Sequence, residues 1–579
     1  MPQSSHLQSV QGGTFLFRHL SPSEIYVPEQ FNEEQLSILD MCREFVAAHI
    51  FPNLERMDAL EPGFMESLLD QAAELGLLGA GIDEQYGGLG MDFPTQMLIQ
   101  QGLGQAHAFA TAFAAHTGIG TYPVQYFGTP EQKAKFLPGI ADGTAKPCYN
   151  LTEPNAGSDA LSGKTRADLS DDGSHYILNG QKCWITNSGF ADLFMVFAQV
   201  EGNQFSCFVV PADTPGLTLG DEEKKLGIKG SSTRQVFYAD AKVPVENLIG
   251  QVGKGHLIAF AALNIGRIKM AAACISGAQR ALELSAEYAK QRVQFKQPIA
   301  KFGAIQQKLA DMTTRIFVLE SAVYRATQDI DDQEQQLLSQ GLSHNEALLG
   351  AADAYAMECA MTKVFGSEVL DFCVDQGVQI HGGNGYSAEY PIERCYRDSR
   401  IVRIYEGTSE INRILTVNTL AKRIAQGKIA PQFLEPAPWS MAILDAEYQA
   451  IIQMKRATLQ VLMVAMETFG AGLRNQQQIC LALADCLIGI YHAESMILRI
   501  AKAEQSGSPI PMGIEMAQVW VRETAGQVYL KGQEASASLA DEGTYRAMME
   551  HFRPLLEISP KPIASLKRAI AEHQLATGA

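Results

Sequence analysis

From about Asn32 to Gly143, apolar residues recur at three- and four-residue spacing. Leu36, Leu39, Cys42 and Val46 form one row, Ile38, Met41 and Phe45 a second beside it, and Met65, Leu68, Leu69, Ala72 and Leu75 repeat the interval. That period places an apolar stripe along each of several helices. Thr129-Pro130-Glu131-Gln132 reads as a helix start, with Thr as cap and Pro in the first turn, where an amide would have no partner. Gly87, Gly88 and Gly90 mark a turn between helices. Near Cys148 the pattern changes to short apolar runs separated by turn residues. The runs are His175-Tyr176-Ile177-Leu178, Phe194-Met195-Val196-Phe197, Cys207-Phe208-Val209-Val210 and Gln235-Val236-Phe237-Tyr238. Asn179-Gly180 predicts a hairpin, because both residues tolerate the left-handed backbone of a tight turn. These runs predict a compact antiparallel β-domain of about 100 residues.

From Gly255 to about Ile424 the helical period returns in long segments. Ala271, Cys274, Ile275, Ala278, Ala281 and Leu282 form a stripe of mostly small residues, which suits close helix packing. Residues 329–347 are polar and predict an exposed segment between helices. Residues 426–439, with Gly427, Pro431, Pro436 and Pro438, read as a linker, and 440 to about 575 is helical again. Residues before about 28 predict a loosely held arm, with Ser21-Pro22-Ser23-Glu24 opening one short turn. The expected fold class is a multidomain α+β protein. Its parts are an arm (1–30), an N-terminal helical domain (31–147), a central antiparallel β-domain (148–254), a helical bundle domain (255–424) and an extra C-terminal helical domain (425–579).

Composition narrows the function classes. A chain of 579 residues, 46% apolar and 19% charged, fits a globular protein with two to four cores. A formal net charge of −18 gives no electrostatic footprint for nucleic acid, although local basic residues can still hold a polyanionic ligand. None of the ten cysteines forms a C-x-x-C pair, so buried free thiols are expected rather than a metal or redox site. The N-terminus has neither the basic region nor the long apolar region of a secretory signal. No apolar run is expected to span a membrane, and the cytoplasm is the expected setting.

Five stretches carry candidate chemistry. In Ile404-Tyr405-Glu406-Gly407-Thr408-Ser409 a carboxylate stands on a bend just before a helix beginning at Thr408 or Ser409. The helix amides favour its ionised form while an apolar pocket opposes it, a balance that suits a general base; the local sequence alone favours the plainer reading, an acid that stabilises the helix start. Gln379-Ile380-His381-Gly382-Gly383-Asn384-Gly385-Tyr386 permits close backbone approach to a ligand, or forms a simple helix cap and turn. It follows no strand and is not G-x-G-x-x-G, which argues against a Rossmann dinucleotide site. Thr152-Glu153-Pro154-Asn155-Ala156-Gly157-Ser158-Asp159 offers hydroxyls and amides as a phosphate or flavin cradle, or is an ordinary loop. Trp184 and Thr186 share a face if they lie on a strand, so Trp184 can pack on a flat ring while Thr186 bonds its edge; the alternative is core filling. Lys290-Gln291-Arg292 ends a helix and is either a solvated face or, through Arg292, a diphosphate contact.

Taken in order, L-T-E-P-N-A-G-S-D, W-I-T-N, the R-x-Q-F-x-x-P stretch from Arg292 to Pro298, Q-I-H-G-G-N-G-Y and Y-E-G-T-S resemble the acyl-CoA dehydrogenase family over about residues 35–425. The resemblance implies FAD bound between the β-domain and the second helical domain and at a subunit boundary. It places Thr152 and Ser158 near flavin or CoA, Ser158 on the CoA side, and Trp184 and Thr186 against the isoalloxazine ring. Arg292 and Phe295 would reach the neighbouring subunit's FAD, and Gln379, Gly382 and Gly383 its adenosine half. Thr408 and Glu410 would touch FAD beside the base. Asn264, Arg267, Tyr405 and Gly407 fall on the acyl-CoA side. Glu406 matches the catalytic base; in some relatives the base stands instead just before the residue matching Arg267, and here that position is Gly266.

The block after about residue 425 and the string Ala114-Ala115-His116-Thr117-Gly118-Ile119-Gly120 resemble the very-long-chain branch, which implies a homodimer and a deep acyl channel. The implied reaction is α,β-dehydrogenation of a long-chain fatty acyl-CoA in β-oxidation, with electrons passed to an electron-transfer flavoprotein. The alternatives are an acyl-CoA oxidase using oxygen and a non-catalytic assembly protein that keeps the fold.

Overall fold

The computed structural model describes residues 12–578, apart from 107, 438, 440, 441 and 540. The chain forms two compact units. One comprises residues 33–276 and 334–353; the other comprises the described N-terminal residues up to Asn32, 277–333 and everything from Ala354 onward.

In the first unit the apolar rows become helices Glu33–Phe45, Phe64–Glu74, Phe93–Leu103 and Pro130–Ala141. Leu39, Cys42, Phe45 and Val46 are buried while Leu36 is exposed, so the packed stripe is narrower than the sequence rows. Thr129 caps the last of these helices by accepting the Gln132 amide, and Gln132 returns a bond to the Thr129 amide at 2.9 Å.

Residues 147–249 supply the eight strands of one sheet: β1 (Pro147–Asn150), β2 (Arg166–Leu169), β3 (His175–Thr186), β4 (Leu193–Val200), β5 (Gln204–Pro211), β6 (Leu217–Glu222), β7 (Thr233–Pro244) and β8 (Leu248–Ile249). Five of the pairings are antiparallel, while β1 and β2 each run parallel to β4. The expected hairpin at Asn179-Gly180 does not form. β3 continues through both residues, and its register against β7 slips between Leu178 and Gly180. Asn179 instead exchanges two hydrogen bonds with Asp240, whose left-handed backbone (φ 52°) makes the bulge on the opposing strand. Gly180 is needed for space, because a Cβ there would fall 2.5 Å from Thr165 Oγ1. The short-range turn signal loses to pairing along the whole strand.

In the second unit helices Ala356–His381 and Ser409–Ala425 carry the loops of interest, and Asp445–Phe469, Gln477–Gln505, Gly513–Ala537, Glu542–Phe552 and Ile563–Thr577 form the C-terminal block. Three sequence expectations are corrected. Residues 329–339 are not an interhelical segment but the end of the helix Gly303–Ser339. Two helices, Gly255–Gln291 and Gln477–Gln505, do pass a membrane-span test of length and composition, at mean hydropathy 1.5 and 1.4; 78% and 83% of those stretches are buried inside the protein, as in core helices.

The arm from Gly12 onward, finally, is held rather than loose; residues 1–11 of it lie outside the described residues. Gly13 donates to the buried Glu358 at 2.6 Å, Arg423 donates to the Gly12 carbonyl at 2.8 Å, and Phe15, Leu16 and Phe17 are buried, Phe15 edge-on to Tyr491. Arg499 grips Glu29 with both ends of its fork. The T-F-L-F cluster is too short to show a period, which is why pattern reading misses it. Replacing Phe17 with Ala is expected to cost about 3–5 kcal/mol, as for a buried aromatic elsewhere. A denaturant midpoint equal to that of the unmodified protein would show that the arm contributes nothing.

Candidate active site

Glu406 sits in the loop between a short 3-10 turn, Arg400–Arg403, and the helix Ser409–Ala425. Its backbone is left-handed at φ 57°, and Gly407 follows at φ 82°. A non-glycine residue there pays a local penalty of about 1–2 kcal/mol, so the surroundings must hold it in place. They do so with buried donors. The Asn412 amide donates to the carbonyls of Glu406 (3.4 Å), Gly407 (2.7 Å) and Thr408 (3.1 Å), and Lys363 Nζ donates to the Gly407 carbonyl at 2.8 Å. Thr408 caps the helix by accepting the Ile411 amide at 3.3 Å. One carboxylate oxygen of Glu406, Oε2, is shut off from solvent. At the helix start, bonds from its own amide and from Thr408, with Arg413 and Arg403 nearby, hold Glu410 below the usual carboxylate range despite some burial. Arg403 pairs with Asp371 at 3.1 Å, and Arg413 pairs with Glu368 at 2.8 Å and Asp485 at 2.6 Å, so both flanks of the loop are tied to neighbouring helices.

The same unit contains the other glycine-rich stretch. Gln379 lies in the last turn of the helix Ala356–His381, and Gly382 and Gly383 follow the helix; a Cβ on either glycine would meet nothing within 4 Å. His381 is a packed turn residue: it bonds the Gly377 carbonyl at 2.7 Å, stacks on Tyr288 at 4.2 Å, and burial lowers its pKa. Asn384 joins Tyr288 at 3.1 Å, linking this loop to the end of the helix that leads to Arg292. Arg292 is exposed and precedes a two-stranded hairpin, Val293–Gln294 with Gln297–Pro298. Phe295 stands at the hairpin tip, 89% exposed and left-handed, and Tyr386 is 90% exposed.

The remaining candidates lie in the first unit. Trp184 is 59% exposed and left-handed at a second register slip of β3, while Cys183 and Ile185 on either side are buried. The core-filling reading of Trp184 is therefore excluded, and Thr186, partly exposed, keeps to its side of the strand. The Thr152 carbonyl accepts the Cys183 amide at 3.0 Å, which brings the 152–158 loop to this strand; Ser158 is exposed.

Beneath them lies a pair the sequence reading missed. Buried Lys182 donates to Glu153 at 2.6 Å, and Glu153 also accepts the amides of Lys164 and Thr165. Burial pushes Glu153 up, yet Lys182 and these bonds bring it net below its ordinary value, while burial pulls Lys182 down. The signal was partly there: Lys182 falls in step with buried Tyr176 and Leu178, and a lysine on that side needs a buried partner, while the register slip after it turns Trp184 outward. Asn187 anchors the end of W-I-T-N by donating to the Ala112 carbonyl at 2.8 Å. Asn264 and Arg267, both buried, are joined at 2.8 Å on the helix Gly255–Gln291. Two residues beyond Arg267, Lys269 is buried against the Thr117 carbonyl (3.1 Å) and the Tyr122 ring, and burial brings its pKa down to about 7.

A linkage consequence follows for Lys269. Between pH 7 and 10 the unfolded chain holds a proton on this amine that the folded chain lacks, so this group alone adds about 1.4 kcal/mol of stability per pH unit. Lys269→Met is expected to remove that contribution to the pH slope in denaturation curves taken across this range; an unaltered slope would contradict it.

The first unit exposes an aromatic ring on β3, and the second holds open glycines beyond His381 and a buried carboxylate oxygen at a strained loop. Comparison with known proteins decides the family. Profiles of the acyl-CoA dehydrogenase N-terminal, middle and C-terminal domains match residues 32–144, 148–241 and 253–423, and a further acyl-CoA dehydrogenase C-terminal domain profile matches 453–554. A Bacillus subtilis protein named as an acyl-CoA dehydrogenase is 40% identical over 575 residues, 97% of each chain. The chain belongs to the acyl-CoA dehydrogenase family. It also matches the crystal structure of a Bacillus anthracis acyl-CoA dehydrogenase complexed with FAD, with TM-score 0.94 and 40% identity over 98% of this chain and 99% of that one. The short-chain specific acyl-CoA dehydrogenase of Megasphaera elsdenii is 37% identical and covers 67% of this chain and 98% of its own. The family is FAD-dependent, so this acyl-CoA dehydrogenase is a flavin-dependent oxidoreductase.

Proposed function

We propose that this acyl-CoA dehydrogenase oxidises the Cα–Cβ bond of a long-chain fatty acyl-CoA to the trans-2-enoyl-CoA, with Glu406 as the base that removes the α-proton. The observation that carries the reading is the Glu406 loop: a carboxylate on a left-handed bend, one oxygen buried, its backbone held by Asn412 and Lys363. Gly266, at the alternative position, has no side chain that could take a proton.

Trp184, Thr186, Thr152 and Ser158 would contact the flavin and its neighbourhood, Thr408 and Glu410 would touch FAD beside the base, and Gln379, Gly382 and Gly383 would hold the adenosine half of the partner subunit's FAD. The bare, open Gly382–Gly383 backbone supports that assignment. Bound FAD supplies the hydride acceptor for the β-hydrogen. The chain's own part is the proton. Glu406 takes it from Cα, and the Glu406 amide would donate to the thioester oxygen as charge develops there, one such donor being worth about 3 kcal/mol. Asn264, Arg267, Tyr405 and Gly407 would shape the acyl-CoA side. Phe295 and Tyr386, large rings left in solvent on a single chain, support a homodimer in which Arg292 and Phe295 reach the partner's FAD. Electrons would leave to an electron-transfer flavoprotein.

The long-chain assignment is supported by the C-terminal block, which lies beyond the two thirds of the chain shared with the Megasphaera short-chain enzyme. Anaerobic flavin bleaching across saturated acyl-CoAs of increasing length tests it. The fastest bleaching is expected with long chains; a maximum at a four-carbon chain would refute the long-chain assignment, and no bleaching with any acyl-CoA would refute the reaction.

A further inference from the structure

We infer that Asn412 and Lys363 are positioning residues for the base: together they form a buried clamp that holds Glu406 in its left-handed conformation and so sets where its carboxylate meets substrate. The inference rests on the reading of Glu406 as base. Asn412 is fully buried, and one side-chain amide nitrogen serves three successive carbonyls, those of Glu406, Gly407 and Thr408. Since each peptide is planar, fixing these carbonyls fixes the orientation of the intervening peptide planes, 406–407 and 407–408. Lys363 is also fully buried, on the helix Ala356–His381, and its ammonium reaches the middle carbonyl of the three. A buried ammonium is costly unless it is bonded, so its presence on that face marks a position where charge is kept for a contact. The two donors come from different helices. Asn412 rises from the first turn of the helix the loop begins, and Lys363 from the neighbouring helix, so the Gly407 peptide is held from both.

Two consecutive left-handed residues, one of them not glycine, would otherwise relax toward ordinary backbone. Relaxation would swing the Glu406 side chain, and displacement of a reacting group by about 1 Å can cost about 100-fold in rate. Asn412 contributes here only as a donor. Asn412→Asp, equal in size but presenting acceptors to three acceptors, therefore discriminates between a positioning role and a space-filling one.

The experiment uses the FAD-loaded enzyme and anaerobic stopped-flow bleaching by a saturating acyl-CoA, with acyl-CoA affinity read separately from the flavin absorbance shift caused by a non-reducible acyl-CoA analogue. Asn412→Asp is expected to slow bleaching about 100-fold while FAD content and affinity for the analogue change less than threefold. Placed on a Glu406→Gln background it is expected to add no further loss, because a clamp for the base has nothing left to position. Lys363→Met, which keeps the length of the side chain and removes its bond to the Gly407 carbonyl, provides the second variant should Asn412→Asp not fold; a loss of about tenfold confined to the bleaching rate is expected. Equal losses in both backgrounds, weakened analogue or FAD binding with bleaching unchanged, or wild-type bleaching in the variants would overturn the proposal. Glu406→Gln bleaching at the wild-type rate would instead remove the base assignment itself, a separate result from wild-type bleaching in Asn412→Asp alone.

Discussion

Glu406→Gln is expected to retain FAD and bind acyl-CoA while slowing substrate-driven flavin bleaching roughly 10²–10⁴-fold, the span attributed to a positioned general base. The amide is the same size as the carboxylate and accepts the same approach of substrate, but it cannot hold the α-proton. The loop should survive the change, because what fixes it is backbone: the Asn412 and Lys363 bonds reach carbonyls, not the 406 side chain. The variant therefore isolates proton removal from binding. Equal bleaching rates in wild type and variant would mean that another group takes the proton.

A large stability effect is expected at Glu494. This carboxylate is buried between two cations, accepting Arg325 at 3.2 Å through one oxygen and Lys455 through the other. Arg325 is buried over the Tyr491 ring, and Lys455, pulled down by burial, also donates to the Arg18 carbonyl of the arm at 3.1 Å. Glu494→Ala would leave both cations buried without their counter-charge, and breaking such a group costs about 3–5 kcal/mol. The expected result is a markedly lower denaturant midpoint, with an unchanged bleaching rate per folded molecule; a midpoint equal to that of wild type would show that the cations find other partners. A chain of two compact units need not unfold in one step, so the shift is best followed by a probe in the second unit, such as Trp439 or Trp520 fluorescence.

The sequence made some of this legible and left the rest hidden, for physical reasons. Periodicity found the helices because amphipathic spacing is local: Leu39, Cys42 and Val46 face the core as their interval requires. It failed at Asn179-Gly180, where partner strands outweigh two turn-prone residues, and at 329–339, where polar residues extend a helix whose inner face is already packed. It failed on the arm because Phe15, Leu16 and Phe17 form a single buried cluster rather than a period. Among site residues, chemistry-bearing types in recognisable strings were legible, Trp184 among them, and its exposure was not. The supports were not named. Asn412, Lys363, Glu153 and Lys182 act through contacts between positions far apart in the chain or through backbone carbonyls, and no local pattern announces a carbonyl that needs a donor.

The central claim is that Glu406 removes a proton from Cα. It is tested most directly with an acyl-CoA that carries sulfur in place of the β-carbon and so has no hydride to give. In deuterium oxide the FAD-loaded enzyme should wash deuterium into the α-position, detected by NMR or mass spectrometry, and Glu406→Gln should not. Exchange at the same rate in both proteins would contradict the assignment.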